Sequence, residues 1–531
     1  MMDRRLLVLG LCDTLRFLCR SENRHCPQVL RHESRPTHPL VYRLIMGLSR
    51  MLPRGLHGAV IVMVSVVIPL VDAQPSAAVG TSRLQFEVRQ FGATGTDLVN
   101  DTAAVQRAID TCAAAGGGRV VVSPGPVITV GSVRLRSHVE LHLERGAVLK
   151  GSPQHRDYTI TIPYPMQLDP VEPVPRIGVM IFAEDAEDVA ITGSGVIDGN
   201  GHAYVLEDTP HIYRCPQERP YTIVFKNCRH VTMRDVTVRE AAFWTIRLFG
   251  SDDVLIDGIR ILNDPKMPNN DGIDIDWSSN VRVANCHIVT GDDGISLHTS
   301  QPNEGINRPC ENIIVTGCTI TSHSAGLVVG ADIDGIIRDA VFDSCIIKDS
   351  HRGVAVRNAM RGTVERISFS NMIIETRLYD SAWWGRAEPI CVTVYPWTRR
   401  LAGGTVRDIR FSNLVCSGEN GAVVCAYRPG ALSGIHFDRI TLAIDKTTAW
   451  DGGHQDFRPT YLEELPAIPV SGFILRNVND VTFRDCRVIW GPHRPDYYRY
   501  ALDAAGCTHL EAAGLTGESA DPAHFPAAVI R

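Results

Sequence analysis

The chain has 531 residues, with 53 basic and 59 acidic side chains that give a formal net charge of −6. This balance provides no basic surface for nucleic acid, so we expect no nucleic-acid partner. The length would allow several domains, but a repeating pattern along the chain favours one long solenoid whose core grows with every repeat.

The N-terminal part of the chain is predicted to precede the folded domain. Residues 1–45 lack apolar periodicity, and we interpret them as a mis-assigned upstream start, with translation beginning at Met46 or Met51. A short basic region, the apolar run Ala59–Leu70 and a small residue after it are typical of a secretory signal peptide at 46–73. The run is too short to span a bilayer stably. We therefore expect a secreted or periplasmic protein without stable membrane insertion, and an N-terminal anchor helix is the alternative.

An amphipathic helix is predicted to open the mature domain. Asp101 is a suitable N-cap, and one face of the helix that follows carries Val105, Ala108, Ile109 and Cys112. Three glycines at 116–118 end the helix, and a strand begins after them. We expect this helix to cover the open end of the solenoid, as terminal caps do.

Ten later segments share the alternating apolar pattern of a strand that is buried on one side. They are Val189–Ile197, Val231–Val238, Val254–Ile261, Val281–Ile288, Ile313–Ile320, Val341–Ile347, Ile367–Ile374, Ile409–Val415, Ile435–Leu442 and Val481–Val488. This spacing predicts stacked parallel strands, one set per turn, which form a parallel β-helix over 84–510. The Ala-, Gly- and Pro-rich residues 511–531 are predicted to form a C-terminal tail.

A cluster of carboxylates is predicted where two neighbouring turns meet. Asp271 and Asp293 each precede a Gly-apolar-x-apolar sequence, and Ala325 and Arg352 occupy the same position in the next two repeats. Stacked parallel strands lie about 4.8 Å apart, so Asp271 and Asp293 should face each other, with Asp292 beside them. Three carboxylates this close repel one another and raise at least one pKa. Stability gains nothing from such an arrangement, which therefore indicates a functional site.

Fifteen cysteines are present, but twelve of them lie beyond the predicted leader. These twelve are dispersed and form no C-x-x-C pair, which argues against a zinc site. Cys286, Cys318 and Cys345 occupy equivalent positions in the repeat. We expect a buried stack of small apolar thiols there, with disulfides as the alternative.

Several of these features resemble a known family. Phe91-Gly92-Ala93, Asp101-Thr102 and the glycines at 116–118 resemble the opening of the pectate-lyase-like superfamily. Asn269-x-Asp271 and Gly291-Asp292-Asp293 resemble the first two signature motifs of glycoside hydrolase family 28, the polygalacturonases. The resemblance covers roughly residues 84–490. It implies an all-β fold, a single-stranded right-handed parallel β-helix with an N-terminal capping helix.

The resemblance also implies a reaction, the inverting hydrolysis of an α-linked pectic polysaccharide without metal or other cofactor. Asp292 would be the general acid, and Asp271 with Asp293 would activate water, although the sequence leaves open which of Asp292 and Asp293 is the acid. Inversion by this scheme requires acid and base to stand roughly 6.5–9.5 Å apart.

Two motifs of the family are altered in this chain. At the family's histidine position stands Ala325, and His323 just upstream is the candidate replacement. The family's Arg-Ile-Lys becomes Ala355-Val356-Arg357, so that Arg357 can replace the lysine as the cation near a sugar carboxylate. Other candidate substrate-binding residues are Asn269, His298, Arg352, Glu388 and Tyr395. These changes leave a galacturonan and a rhamnogalacturonan as rival substrates.

Two wide gaps in the repeat, at 375–408 and 443–480, are predicted to be loops on the binding face. The first contains Trp383, Trp384 and Trp397, which either stack on sugar rings or pack the loop onto the coil. Two other classes of protein remain open. One is a Ca²⁺-dependent polysaccharide lyase on the same fold, with the aspartates as Ca²⁺ ligands. The other is a non-catalytic β-helix that binds glycans.

Overall fold

The structure is a computed structural model that describes residues 84–96, 100–168, 173–401, 403–462 and 468–531. The predicted upstream start and signal peptide, at 1–45 and 46–73, lie outside the described residues. Among the residues that are described, no helix is both long and apolar enough to cross a membrane.

The described residues form a right-handed parallel β-helix with two large sheets. Sheet I has 24 strands in these ranges and sheet II has 14, and nearly all the pairings are parallel. Sheet I contains Gln85–Glu87, Gly118–Val122, Ile128–Val130, Val139–Leu143, Val148–Gly151, Glu187–Gly193, Val196–Asp198, Arg229–Arg234, Thr237–Arg239, Asp252–Asp257, Arg260–Leu262, Ser279–Ala284, His287–Thr290, Cys310–Thr316, Thr319–Ser322, Ile336–Asp343, Ile346–Ser350, Thr363–Thr376, Thr405–Gly418, Leu432–Ile444, Val478–Arg484, Cys486–Trp490, Thr508–Glu511 and Leu515–Thr516. Sheet II contains Val133–Arg134, Thr161–Pro163, Arg176–Glu184, Tyr221–Lys226, Ile246–Phe249, Ile273–Asp276, Ile295–Thr299, Ala325–Ile333, Arg352–Asn358, Glu388–Val394, Ala422–Ala426, Phe473–Arg476, Leu502–Ala505 and Ala528–Ile530.

The remaining elements are short. A two-stranded antiparallel pair joins Glu207–Asp208 to Tyr213–Arg214, and the α-helix spans Thr102–Ala114. Short 3₁₀ helices occupy Val88–Phe91, His155–Asp157 and Gly201–Tyr204.

The interior of the coil is a set of apolar columns, one residue per rung. Five phenylalanines from successive rungs stack nearly parallel, with ring centroids 4.7 to 5.4 Å apart and interplanar angles of 13° or less. They are Phe342, Phe369, Phe411, Phe437 and Phe483. Because equivalent side chains meet in register, a sequence repeat becomes a continuous core. The predicted cysteine stack is also present, since Cys286, Cys318 and Cys345 are free and buried.

The register of sheet II confirms that the repeated Asp-Gly positions are equivalent. Ile273 pairs with Ile295, Ile295 with Leu327, and Leu327 with Val354, and these side chains are fully buried. The glycine before each is required by the stacking. A Cβ at Gly272 would stand 2.3 Å from the carbonyl oxygen of Gly294 on the next rung, which no side chain tolerates.

The N-terminal helix buries the predicted face, which includes Val105, Ala108 and Ile109. Asp101 occupies the predicted N-cap position, but its side chain makes no capping hydrogen bond to the helix. Its carboxylate instead accepts the backbone N–H groups of Thr94 at 2.8 Å and Gly95 at 3.0 Å, and so it holds the preceding loop. That the helix acts as a cap of the solenoid stays a prediction.

Two stretches differ from the sequence expectations. The first wide gap is not all loop, because Glu388–Val394 within it is a regular strand of sheet II, paired with Arg352–Asn358. The residues predicted to be a tail include Ala528–Ile530, which pairs in parallel with Leu502–Ala505. Composition alone hides such strands, because a single rung needs only three or four residues in register.

Candidate active site

Asp271, Asp292 and Asp293 meet at one point on the outer side of sheet II. Carboxylate oxygens of the three residues lie within 4.8 Å of one another. Asp271 stands just before the strand Ile273–Asp276, while the other two stand just before Ile295–Thr299, so one step of the coil brings them together. All three line a cavity of about 330 Å³. This volume lies within the range of small-molecule sites, at roughly 300–1,000 Å³.

Asp292 is fixed from both its backbone and its side chain. Its Oδ2 accepts the backbone N–H of Asn269 at 3.1 Å, and its Oδ1 accepts the N–H of Asp293 at 3.0 Å. Hydroxyl groups of Thr290 and Ser322 donate to its carbonyl oxygen at 2.6 and 2.7 Å. Burial, followed by the charge of Asp293, raises the pKa of Asp292 to about 7.

Asp293 has the contacts of an anchored anion. Its Oδ1 accepts the Ser324 hydroxyl at 2.7 Å and the backbone N–H of Ala325 at 3.1 Å, while its Oδ2 lies 3.4 Å from a guanidinium nitrogen of Arg357. Ala325 occupies the position of the family's histidine, so the backbone donates here where no imidazole is present.

Asp271 is the least satisfied of the three carboxyl groups. It is only 5% exposed, and its Oδ1 has no hydrogen-bond partner among the described residues. Burial raises the pKa of Asp271 well above the ordinary value of an aspartate, and Asp292, Asp274 and Asp293 raise it further. A buried polar atom without a partner is costly, and one that faces a cavity is a position for water or substrate.

A buried arginine positions the loop that carries Asn269. Arg219 donates to the Asn269 side-chain oxygen at 2.9 Å and to the carbonyl oxygen of Pro268 at 2.6 Å. Asn270 then accepts the backbone N–H groups of Gly291 at 2.8 Å and Asp292 at 3.1 Å, which ties the two rungs together. The positioning role of Arg219 becomes visible only from these contacts.

His298 lines the cavity from within a buried ionic cluster. Its Nδ1 lies 2.5 Å from Asp332 and its Nε2 lies 3.3 Å from Asp274. Burial disfavours the charged imidazole, but Asp332 and Asp274 outweigh it and raise the pKa of His298 well above its usual value. The ring stacks on Trp244, which also lines the cavity, with centroids 5.1 Å apart. His298 is therefore a buried cation rather than a surface ion-pair partner.

Three tryptophans from the first insertion, Trp383, Trp384 and Trp397, line the opposite side of the cavity. Trp384 meets Trp397 edge to face at 6.2 Å, and Arg357 lies 5.6 Å from the Trp384 ring. The rings lie at the cavity, and whether they stack on a sugar or only pack the loop onto the coil stays a prediction. Arg357 is the sole arginine or lysine among the described residues that line this cavity.

The second insertion holds the tryptophan loop in place. Arg458 donates to the carbonyl oxygens of Trp383 at 2.9 Å and Ser381 at 3.2 Å, and Asp456 accepts the backbone N–H of Gly385 at 2.7 Å. Although burial opposes its ionisation, Arg352 and Arg458 lower the pKa of Asp456 below its ordinary value. We call the Asp456–Arg458 pair the loop clamp. No local sequence pattern links the loop clamp to the distant tryptophan loop, so the sequence does not predict this contact.

Four of the predicted substrate-binding residues do not line the cavity. Arg352 and Glu388 are fully buried and face each other at 3.4 Å, with Arg352 also 3.6 Å from Asp456. His323 packs between Tyr379, at 4.1 Å, and Trp383, and burial reinforced by Arg377 lowers its pKa to about 4. Tyr395 packs on Phe457 and lines a different cavity. Their neighbours in space, and not their place in the repeat, determine these positions.

The same three aspartates are, within the described ranges, the group whose spacing suits a metal ion. A hard cation such as Ca²⁺ takes six to eight oxygen ligands, of which this trio offers only part. The Arg357 guanidinium, 3.4 Å from Asp293, repels a cation placed between them. The local charge therefore suits a proton and a water molecule better than Ca²⁺.

Comparisons with known proteins show what the chain is similar to. The sequence model of the glycosyl hydrolases family 28 matches residues 146–380. A probable polygalacturonase of Vitis vinifera is 27% identical over 59% of this chain and 65% of its own length. An exo-poly-alpha-D-galacturonosidase of Dickeya chrysanthemi is 24% identical over 54% of each. The chain thus spans between half and two thirds of these relatives.

A solved structure shares the fold. The hyperthermoactive exopolygalacturonase of Thermotoga maritima superposes with a TM-score of 0.56 at 20% identity, covering 78% of this chain and 93% of that one. The polygalacturonase of Erwinia carotovora superposes with a TM-score of 0.52 at 18% identity. At these identities the likeness establishes the parallel β-helix.

Proposed function

We propose that the chain belongs to family 28 of the glycosyl hydrolases, whose sequence model matches residues 146–380, and that it hydrolyses an α-linked pectic polysaccharide or oligosaccharide with Asp271, Asp292 and Asp293. One observation carries the proposal. Three carboxyl groups converge within 4.8 Å at a cavity that Trp383, Trp384 and Trp397 also line. Glycoside hydrolysis needs a protonated and an ionised carboxyl group beside a surface that holds a sugar ring.

We assign the general acid to Asp292. A pKa of about 7 keeps this carboxyl group protonated in mildly acidic solution, ready to donate to the leaving glycosidic oxygen. Asp293 has a guanidinium and two hydrogen-bond donors around it, contacts that favour a carboxylate. The surroundings of the two adjacent residues therefore differ, and they support Asp292 over Asp293 as the general acid.

Asp293 and Asp271 then activate the attacking water. Asp293 is the base, because its surroundings stabilise negative charge. Asp271 has a free oxygen that faces the same point, and its raised pKa makes it a partner that orients the water rather than a second full base. Together the two carboxyl groups can hold one water molecule by hydrogen bonds on the side of the sugar away from the leaving group.

The stereochemical outcome is a separate part of the proposal. The closest carboxyl oxygens lie within 4.8 Å, which is shorter than the roughly 6.5–9.5 Å expected for an inverting pair. Inversion therefore rests on membership of the family and not on this distance. The anomeric configuration of freshly released sugar decides it.

The sugar is held by Trp384, Trp397 and Arg357. Aromatic faces pack on the C–H faces of pyranose rings, while a guanidinium forms a planar pair with a uronate carboxylate. Arg357, the sole arginine or lysine among the described residues that line the cavity, fits one uronate unit next to the reacting bond. Both galacturonan and rhamnogalacturonan provide such a unit, and we propose galacturonan because the curated relatives are named for it.

Incubation with defined substrates tests the function. Purified protein, with and without EDTA, is offered polygalacturonate and rhamnogalacturonan oligosaccharides, and products are followed by reducing ends and ultraviolet absorbance. We expect new reducing ends on galacturonan, no unsaturated product and no effect of EDTA. Unsaturated products lost on chelation would establish a lyase instead, and turnover of rhamnogalacturonan alone would change the substrate. Secretion through the predicted signal peptide at 46–73 is tested by sequencing the N-terminus of the exported protein.

A further inference from the structure

A second cavity, of about 520 Å³, lies on the outer side of sheet II beyond the catalytic one. The position of Arg357 continues in register through Thr393 and Cys425 to Arg476, which lines this second cavity. Three rungs separate the two arginines, a distance along the coil of about 14 Å. Both cavities therefore open on the same face of the molecule.

Aromatic rings form much of the wall of this second cavity. Tyr395 and Phe457 pack against each other at 4.7 Å on one side. Tyr500, half-buried, stands on another side and meets Phe525 edge to face at 5.8 Å. Tyr395 and Phe457 are buried, 7% and 4% exposed, and form a rigid apolar floor, whereas Tyr500 offers the partly exposed ring. Aromatic rings around a concave space are the usual lining of a site for a small organic ligand.

Two arginines converge on one buried carboxylate in the same cavity. Asp503, 1% exposed, accepts from Arg476 at 2.7 Å and from Arg531 at 2.6 Å. The remaining N–H donors of these guanidiniums suit a second carboxylate, which arginine binds with its planar fork.

The two cavities are separate compartments on one face. Tyr395 lines the second cavity while Trp397, two residues on, lines the catalytic one. In the second insertion, Phe457 lines the second cavity, whereas Arg458 clamps the tryptophan loop of the first. The second cavity is therefore not an extension of the catalytic site.

We propose that this second cavity is an ancillary binding site for an acidic pyranose, a uronate unit of the same glycan that is cleaved. This inference rests on the proposed function, which supplies the class of glycan. Tyr500 provides a face for the sugar ring, and Arg531 with Arg476 binds its carboxylate. A long substrate occupies both cavities at once, while a short one fills either of them. Binding through two linked sites raises the affinity for the polymer over that for its fragments.

Calorimetric titration of the full-length D292N protein with trigalacturonic acid tests the proposal. D292N keeps both cavities and removes turnover. We expect two binding sites per chain. Adding Arg531→Ala and Tyr500→Ala should weaken the affinity of the second cavity at least about tenfold, so that the titration then detects one site per chain. Arg531→Lys in place of Arg531→Ala should restore part of the affinity of the second cavity, because the positive charge returns. Neutral maltotriose should not bind at the second cavity, and Arg410→Ala, an exposed arginine elsewhere on the coil, is the matched control.

Kinetics separates this inference from the proposed function. In the otherwise wild-type protein, Arg531→Ala with Tyr500→Ala should leave kcat/KM on trigalacturonic acid unchanged and raise KM for long polygalacturonate severalfold. One site per chain in D292N, or two sites that survive both substitutions, would overturn the ancillary site while hydrolysis stands. Failure of the wild type to hydrolyse any galacturonan would instead overturn the proposed function.

Discussion

Inside the coil, five phenylalanine rings from successive rungs stack in one column, whereas the outer side of sheet II carries a different residue on every rung. The equivalent positions Asp271, Asp293, Ala325 and Arg352 have four different roles. They are an unpartnered carboxyl group, an anchored anion, a backbone donor and a buried cation. The interior repeats its chemistry to build stability, and the outer side varies it to build a site.

The two regions also differ in what surrounds each residue. Phe369 touches the equivalent residue of the rung above and below, so its environment is set by the repeat. Arg352 lies beside Asp456, 104 positions further along the chain, so its environment is set by an insertion. Substitutions in the two regions should therefore fail in different ways, one by unfolding and the other by loss of turnover.

The largest effect is expected from removal of the proposed acid. Asp292→Asn removes the donated proton while keeping shape, and should lower kcat by about 10³-fold or more, the usual cost of losing an essential acid. The melting temperature should stay the same or rise, because a buried, repelled carboxyl group is removed. Asp253→Asn, an exposed acid on the strand Asp252–Asp257 of sheet I, is the control. Turnover by D292N within tenfold of wild type would refute the assignment.

The interior counterpart is Phe369→Ala. Deleting a buried phenylalanine costs about 3–5 kcal/mol of unfolding free energy. We expect denaturant titration to show this loss, with kcat per folded molecule unchanged. Ile373→Ala, on the same strand but 51% exposed, should change stability by no more than about 0.5 kcal/mol. A large fall in kcat of fully folded Phe369→Ala protein would contradict the separation of stability in the interior from catalysis on the outer side of sheet II.

The pH dependence reports the outer region alone. Because the acid must be protonated, kcat/KM should fall about tenfold per pH unit above the Asp292 pKa of about 7. Since folding raises this pKa from about 3.9 in the unfolded chain, the folded state binds the proton more tightly. The contribution of Asp292 to stability is therefore full at low pH and is lost as pH rises towards 7. Profiles of kcat/KM and melting curves from pH 4 to 9 measure the two pH dependences. In D292N, the stability should vary less with pH than in the wild type.

The smallest effect is expected at the loop clamp. Arg458→Ala removes the donors to the carbonyl oxygens of Trp383 and Ser381, which frees the loop that carries the cavity tryptophans. We expect KM to rise about tenfold with kcat reduced less than threefold, since a bound sugar must then order the loop. Arg410→Ala, an exposed arginine paired only with Asp408 among the described residues, should change neither. An equal loss in kcat would place Arg458 closer to the chemistry than the clamp allows.

The contrast between the regions also explains what the sequence revealed. The alternating apolar segments and the repeated Asp-Gly positions predicted the β-helix and the meeting of Asp271 with Asp293, because both depend on register alone. Arg219, the loop clamp and the placements of His323 and Tyr395 depend on contacts between distant insertions, which leave no periodic signal. The N-cap position of Asp101 follows from the local sequence, but the bonds of its carboxylate to Thr94 and Gly95 depend on how the preceding loop folds back.

The central claim is that Asp292 protonates the leaving oxygen while water, held by Asp293 and Asp271, attacks the opposite side of the sugar. Proton NMR of the first sugar released from an α-linked galacturonate oligosaccharide tests this most directly. The account predicts that the β-anomer appears first and then equilibrates with the α-anomer. Initial release of the α-anomer would contradict it, because retention requires one of the three carboxylates to bond to the sugar rather than to water.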